Sequence, residues 1–283
     1  MRRNANLLRI QRLDPERDYH RIYRAMALVE FPWDMRMALQ LAFLRTFAVP
    51  SISVLLDQAG EITHRTHKRA LDTALLMFEL IDHGFAHPRG REVVRRLNRI
   101  HQRYEIANRD YLYVLGALVV VPTRWLERYG WRPVCCHERT ATYVFYRQLG
   151  RRMGIRDIPP TYEAFEVFFD AFERERFRRT EAGQRLMRAN RGLLVGRFSG
   201  PVRPLAGGLA DALLDERLRE AVGVDPAPWP IRAALRVSLK TRARVLRLLP
   251  PQPERAPSEG SRYGINTAAL YPDGYEISKL GPR

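Results

Sequence analysis

RGREVVRRLNRIHQRY, residues 89–104, is the stretch whose reading decides the fold. At about 100° per residue, Val93, Val94, Leu97, Ile100 and Tyr104 fall on one stripe, as in an amphipathic helix with one side toward a core. Arg95, Arg99 and Arg103 face away, while Arg96 and Asn98 sit on the two shoulders. His101 falls inside the apolar stripe. An imidazole in that position has to be hydrogen-bonded, held neutral or bound to something. Two readings stay open on the residues alone. One is a satisfied core histidine; the other is an axial metal ligand, above all to haem iron, with the basic shoulders near anionic groups.

The same helical period recurs on both sides of this stretch. Residues 18–30 read as a first helix and FPWD (31–34) as a turn. Asp34 is placed to cap MRMALQLAFLRTFAV, Pro50 to end it, and Ser51 to cap ISVLLDQ. Thr63 or Thr66 opens a helix that runs through ALLMFELI and closes at Gly84, with His83 suited to the negative helix end. Beyond residue 104, YLYVLGALVVVPTRWLERYGW reads as one helix, since Leu112, Leu115, Gly116 and Val119 make a close-packed face. CHERTATYVFYRQLGRRMG follows, ending at Gly154; Thr161 and Thr180 open two more helices, and residues 205–222 form another. No Asn-Gly or Asp-Gly turn joins alternating runs, and no repeat of fixed period is present. The expectation is an all-α chain, a single multi-helix domain over residues 1–249. Residues 250–283 begin as a Pro/Ser/Gly-rich linker, and Tyr263, Tyr271 and Tyr275 make the tail pack back on the domain.

Lys and Arg number 48 against 31 Asp and Glu, a net charge of +17 carried almost wholly by arginine. Such a field favours anionic partners. The arginines are spread over nearly every helix and form no recognition motif, so nucleic acid is not an expected partner. Cys135 and Cys136 are neighbours and cannot make a disulfide framework, which fits a reducing compartment. No CxxC or HExxH pattern suggests zinc. The longest apolar run, 111–122, is too short to span a bilayer, and the basic N-terminus has no apolar core of signal-peptide length. The expected location is therefore the cytoplasm, free or peripheral to a membrane. One segment bears on that choice. PWPIRAALRVSLKTRARVLRLL, 228–249, has six basic residues and no acidic one. Ile231, Leu235, Leu239, Val245, Leu246 and Leu249 share one side of its helix. Arg232, Arg236, Lys240, Arg244 and Arg247 take the other, with Arg242 intruding on the apolar side. It suits a helix in a membrane interface or an ordinary surface helix packed on the core.

An ordered set of segments carries a resemblance: FPWD at Phe31, RTFAVPSIS at Arg45, KRALDT at Lys68, HG at His83 and RRLNRIHQRY at Arg95. NRDYLYVL at Asn108, RWLERYGWR at Arg124, MGI at Met153 and YPDGYEISKLGP at Tyr271 complete it. Together they resemble the MpaB-type oxygenases, a branch of the superfamily that includes the latex-clearing rubber oxygenases. The resemblance implies an all-α fold enclosing a haem b pocket. It also implies dioxygen-dependent oxidation of an apolar, isoprenoid or lipid-like substrate, including oxidative C=C cleavage. Within it His101 is the iron ligand, with His83 as the fallback. Arg96 polarises oxygen or holds a propionate, and Arg45 is a second cation for that task. Asn98 is a pocket hydrogen-bonder, Leu97 and Tyr104 wall the imidazole, and Glu79 is a carboxylate base. Two positions depart from the wider superfamily: Leu115 stands where many relatives have a further histidine, and Ile100 where rubber oxygenases have a threonine. His20, His64, His67, His87 and His137 fall in polar or turn contexts that predict solvated side chains. The competing class is a non-catalytic basic helical protein that binds lipid or membrane surfaces.

Overall fold

The computed structural model describes residues 4–195, 202–250, 261–263 and 265–282. Among them the chain is helical almost throughout. In order come α1 (Ala5–Ile10), α2 (Tyr19–Arg24), α3 (Pro32–Arg45), α4 (Pro50–Gln58), α5 (Glu61–His64), α6 (Thr66–His83) and α7 (Pro88–His101). They are followed by α8 (Asn108–Tyr129), α9 (Cys136–Arg152), α10 (Tyr162–Arg176), α11 (Glu181–Val195), α12 (Val202–Ala212), α13 (Glu216–Val222) and α14 (Trp229–Leu248). A two-stranded antiparallel pair, β1 (Ser261–Arg262) and β2 (Ile265–Asn266), lies in the tail, with Arg262 opposite Ile265. No hairpin is expected from the sequence there; so short a pair carries too little alternation to read.

α8 is the axis. It is packed by α3, α9, α10 and α14. Leu112, Tyr113, Leu115, Ala117, Val119, Val120, Trp125 and Leu126 are buried around its circumference, as a helix enclosed on several sides requires. Gly116 lets α10 in: a Cβ there would stand 2.8 Å from the Phe165 ring. Pro122 sits inside the helix without ending it.

Several local expectations shift. Asp34 does not cap α3. Pro32 occupies the first helical position, so Asp34 falls in the first turn, where its buried carboxylate accepts from Trp125 Nε1 and the Arg242 guanidinium at 3.1 Å each. Ser51 likewise lies inside α4, which Pro50 begins. Residues 205–222 form two helices, because Asp215 caps a new one through Leu218 N at 3.1 Å. α7 stops at His101, so Tyr104 leaves the helical stripe. His20 is half-buried, not solvated: its Nε2 lies 3.0 Å from Ile81 O and its ring stacks near Phe145. Cys135 and Cys136 are free thiols.

The apolar side of α14 mostly faces the domain. Leu239 and Ala243 are buried, and Leu235 and Leu246 pack against the core. Arg242 explains its intrusion by pairing with Asp34 and lying 4.1 Å from the Trp33 ring centroid.

Candidate functional site

α6 and α7 form a helical hairpin around which the candidate residues are arranged. Its turn is tight: Gly84 has φ +69°, and Gly90 passes so close that a Cβ there would lie 1.7 Å from Gly84 O. The α7 stripe is inside as the period predicts, with Val93, Val94 and Ile100 buried. α6 buries Leu71, Leu75, Leu76, Phe78, Leu80 and Ile81, and among them two carboxylates, Asp72 and Glu79, at 1% and 0% exposure. They are seven positions apart, about two helical turns, so they share a face.

The tail closes over that face. Asp72 accepts from Tyr271 OH at 2.5 Å, from Gly281 N at 2.8 Å and from Lys68 Nζ at 2.5 Å. Glu79 accepts from Tyr275 OH at 2.5 Å, from Tyr263 OH at 3.3 Å and from Arg89 Nε at 2.8 Å. Arg96 is buried and donates from Nε to Leu280 O at 2.6 Å and from Nη2 to Pro282 O at 2.9 Å. Gly281 follows Leu280 with φ +87°, where a Cβ would press on Ile100 at 2.7 Å. Sequence reasoning missed Asp72, and it named Tyr263, Tyr271 and Tyr275 only as tail residues turned toward the domain, not as partners of these carboxylates. The signal for Asp72 was present: an acid on the apolar side of a helix, two turns before Glu79.

At the other end of α7 stands His101. Its Nδ1 lies 2.7 Å from Leu97 O, one turn back. A carbonyl oxygen only accepts, so Nδ1 carries the proton and Nε2 keeps its lone pair in the neutral ring. No described residue hydrogen-bonds Nε2. Burial pushes the His101 pKa down, Leu97 O opposes that, and the charge of Arg69 on α6 adds to it. The Tyr111 ring is 5.8 Å away, centroid to centroid. A neutral, half-buried imidazole with a fixed tautomer and a bare Nε2 has the donor chemistry of a haem-iron ligand, and the charge of Arg69 acts on it.

The other candidates are dispersed. Asn98 donates to Arg152 O at 3.0 Å, tying α7 to the end of α9. His83 stacks on His87 at 4.6 Å, and its buried Nε2, 3.4 Å from Glu79 Oε2, has no hydrogen bond; burial lowers its pKa. Arg45 belongs to a second apolar cluster. It binds Glu173 through two nitrogens, at 2.6 and 2.5 Å, also contacts Asp215, and lies 5.7 Å from the Phe169 and Phe177 rings. Two open clefts, of about 390 and 370 Å³, are lined by residues 173–179 with 217–221 and by residues 143–160; neither touches His101. Among the described residues no group of three or more His, Cys, Asp or Glu could hold a metal ion.

The family described as "ER-bound oxygenase mpaB/B'/Rubber oxygenase, catalytic domain" matches residues 26–248, from just after α2 through α14. The chain belongs to the mpaB/rubber oxygenase family. Its similarity to "ER-bound oxygenase mpaB'" of Penicillium brevicompactum is 29% identity over 252 residues, covering 82% of this chain and 59% of that protein. "ER-bound oxygenase mpaB" of Penicillium brevicompactum is 33% identical over 140 residues, or 47% of this chain and 36% of that one. The protein of the same description from Penicillium roqueforti (strain FM164) is 33% identical over 147 residues, 50% and 49% of the two chains. The chain thus spans about three-fifths or less of the length of these relatives.

Proposed function

We propose that this chain is a haem-dependent oxygenase that uses dioxygen on an apolar substrate of isoprenoid or lipid-like class. The observation that carries the reading is the family match across residues 26–248, and His101 supports its haem part. When bound, the haem supplies redox-active iron for dioxygen chemistry. His101 Nε2 is the atom that would hold it, with the ring fixed by the hydrogen bond to Leu97 O. Arg69, whose charge acts on that ring, is the cation that would favour an anionic group held there. Val94, Leu97 and Ile100 keep water from that side of α7. Glu79 is the candidate base. Its Oε2 already accepts from Arg89 and its Oε1 from Tyr275, so as a base it would take up a proton on a lone pair those bonds leave free, at the opposite end of α7 from His101. Arg96, committed to Leu280 O and Pro282 O, acts through the tail: it holds the wall that brings Tyr275 to Glu79.

The test is reconstitution with haemin, read by absorption. The wild-type chain is expected to show a Soret band that His101→Ala shifts or abolishes and His83→Ala leaves in place. A Soret band of unchanged position and intensity in His101→Ala would overturn the ligand assignment. Consumption of dioxygen on adding a polyisoprenoid tests the reaction class. A protein that takes up no haemin and consumes no dioxygen would support the non-catalytic lipid-binding class instead.

A further inference from the structure

α14 has an outward side that the domain does not use. Trp229, Val237, Val245 and Leu248 are 73%, 63%, 49% and 87% exposed, and Leu249 just beyond is 48% exposed. Leu205, on the α12 helix that packs against α14, is 49% exposed. Beside these side chains runs a cationic ridge of Arg236, Lys240 and Arg244, spaced four residues apart and all exposed. None of the three pairs with an acid among the described residues, and α14 itself contains no Asp or Glu. Scattered exposed apolar side chains are ordinary. Here they are gathered on one helix, next to a strip of a single sign.

That combination selects the partner. Nucleic acid or an acidic peptide would use the arginines and lysine but gives no reason to present valine and leucine outward. A bilayer with anionic headgroups uses both, because phosphates meet the ridge while apolar side chains enter the boundary below. Arg236, Lys240 and Arg244 have stems long enough to keep their charges at the headgroups as the helix settles. None of the described helices alone is long and apolar enough to cross a membrane, so contact through α14 would be with the surface. The geometry points to the outward side of α14 as a docking surface for an anionic lipid bilayer, with the helix lying along the interface. Only part of the apolar side the sequence suggests enters the lipid: Leu235, Leu239 and Leu246 are taken by the domain, while Val245 and Leu249 face outward with Val237 and Leu248. The inference is independent of the haem reading.

The experiment is flotation of the full chain with vesicles of phosphatidylcholine alone, or with phosphatidylglycerol added, at physiological salt. The wild type is expected to float with the anionic vesicles only. Trp229 emission should shift to the blue and become shielded from iodide, a response that Trp229→Phe removes. Reversing the ridge, R236E/K240E/R244E, should weaken binding about a hundredfold. Reversing three exposed arginines elsewhere, R12E/R65E/R156E, makes the same change in net charge and should weaken it less than tenfold. V237S/L248S should weaken binding at least tenfold. The inference fails if the wild type does not float, or if the two charge reversals act equally, since the overall field would then be responsible. It fails also if V237S/L248S binds like wild type, which would mark an anionic polymer or a phosphate group as the true ligand.

Discussion

Replacing Arg96 by methionine tests whether the tail is part of the folded domain. The methionine keeps most of the packing of the arginine stem and removes the guanidinium. Two charge-assisted hydrogen bonds, to Leu280 O and Pro282 O, are lost. Such bonds are worth about 1.5–3 kcal/mol each, so the gross loss is about 3–6 kcal/mol. Burying the guanidinium carries a desolvation penalty that the substitution relieves, which brings the net to about 3 kcal/mol. The two carbonyls remain under buried Leu280, Gly281 and Pro282 with no donor. For an m-value of about 2.5 kcal/mol/M, the urea midpoint should fall by about 1 M. If the tail opens before the rest of the chain, the loss appears instead as faster hydrogen exchange at Gly281 N, now bound to Asp72 at 2.8 Å. A midpoint within 0.3 M of wild type, together with unchanged protection at Gly281, would refute the reasoning.

Three further substitutions probe the scaffold. Gly90→Ala should destabilise by about 3 kcal/mol, because its Cβ would lie 1.7 Å from the Gly84 carbonyl oxygen; a loss below 0.5 kcal/mol on urea denaturation would show that the turn gives way freely. Arg132→Met should cost about 4 kcal/mol, since it strands the buried carboxylates of Glu30 and Glu138 that Arg132 now bridges, and adding Glu30→Gln and Glu138→Gln should recover part of that; no recovery in the triple variant would disprove the charge account. His20 has its pKa lowered from 6.5, chiefly by burial. The unfolded chain therefore binds the proton first, so stability holds above about pH 6.5 and falls as the pH drops toward the folded value. His20→Gln, which can still donate to Ile81 O, should flatten that slope, and a slope unchanged in the variant would assign the effect to other groups.

The helices were readable because α6 through α10 pair a strong apolar period with clear ends. Thr161 does cap α10, through Ala164 N at 3.1 Å, and Gly84 does close α6 in the left-handed region. Boundaries slipped where a local signal had two uses. Asp34 looks like a cap, yet its carboxylate serves Trp125 and Arg242, which lie 91 and 208 residues away in sequence. Tyr104 fits the α7 period but lies past the helix end. The candidate site was legible in its parts and not in its assembly. His101 and Glu79 stand out as polar groups on apolar faces, but nothing local says that Tyr271, Tyr275 and Gly281 complete the surroundings of Asp72 and Glu79. Those contacts span 196 to 209 residues, and tertiary packing alone makes them.

The charge of the chain illustrates the same point from the other direction. A net charge of +17 invites a search for anionic partners, yet several arginines are committed to contacts within the fold. Arg132 bridges two buried glutamates, and Arg45 binds Glu173 between the Phe169 and Phe177 rings. Arg124 reaches Glu166 and Asp170, Arg242 reaches Asp34, and Arg96 holds the tail by its carbonyls. Guanidinium suits these tasks, because its planar fork can satisfy two acceptors at once while its face rests on an aromatic ring. Lysine at these positions would lose the planar fork and the flat face that rests on the ring. An arginine count therefore says little about partners until the internal ones are set aside. Among the exposed cations that remain after that subtraction, Arg236, Lys240 and Arg244 lie on a helix whose outward side is also apolar. Local arrangement, more than total charge, is what makes that helix the place to look for an anionic partner.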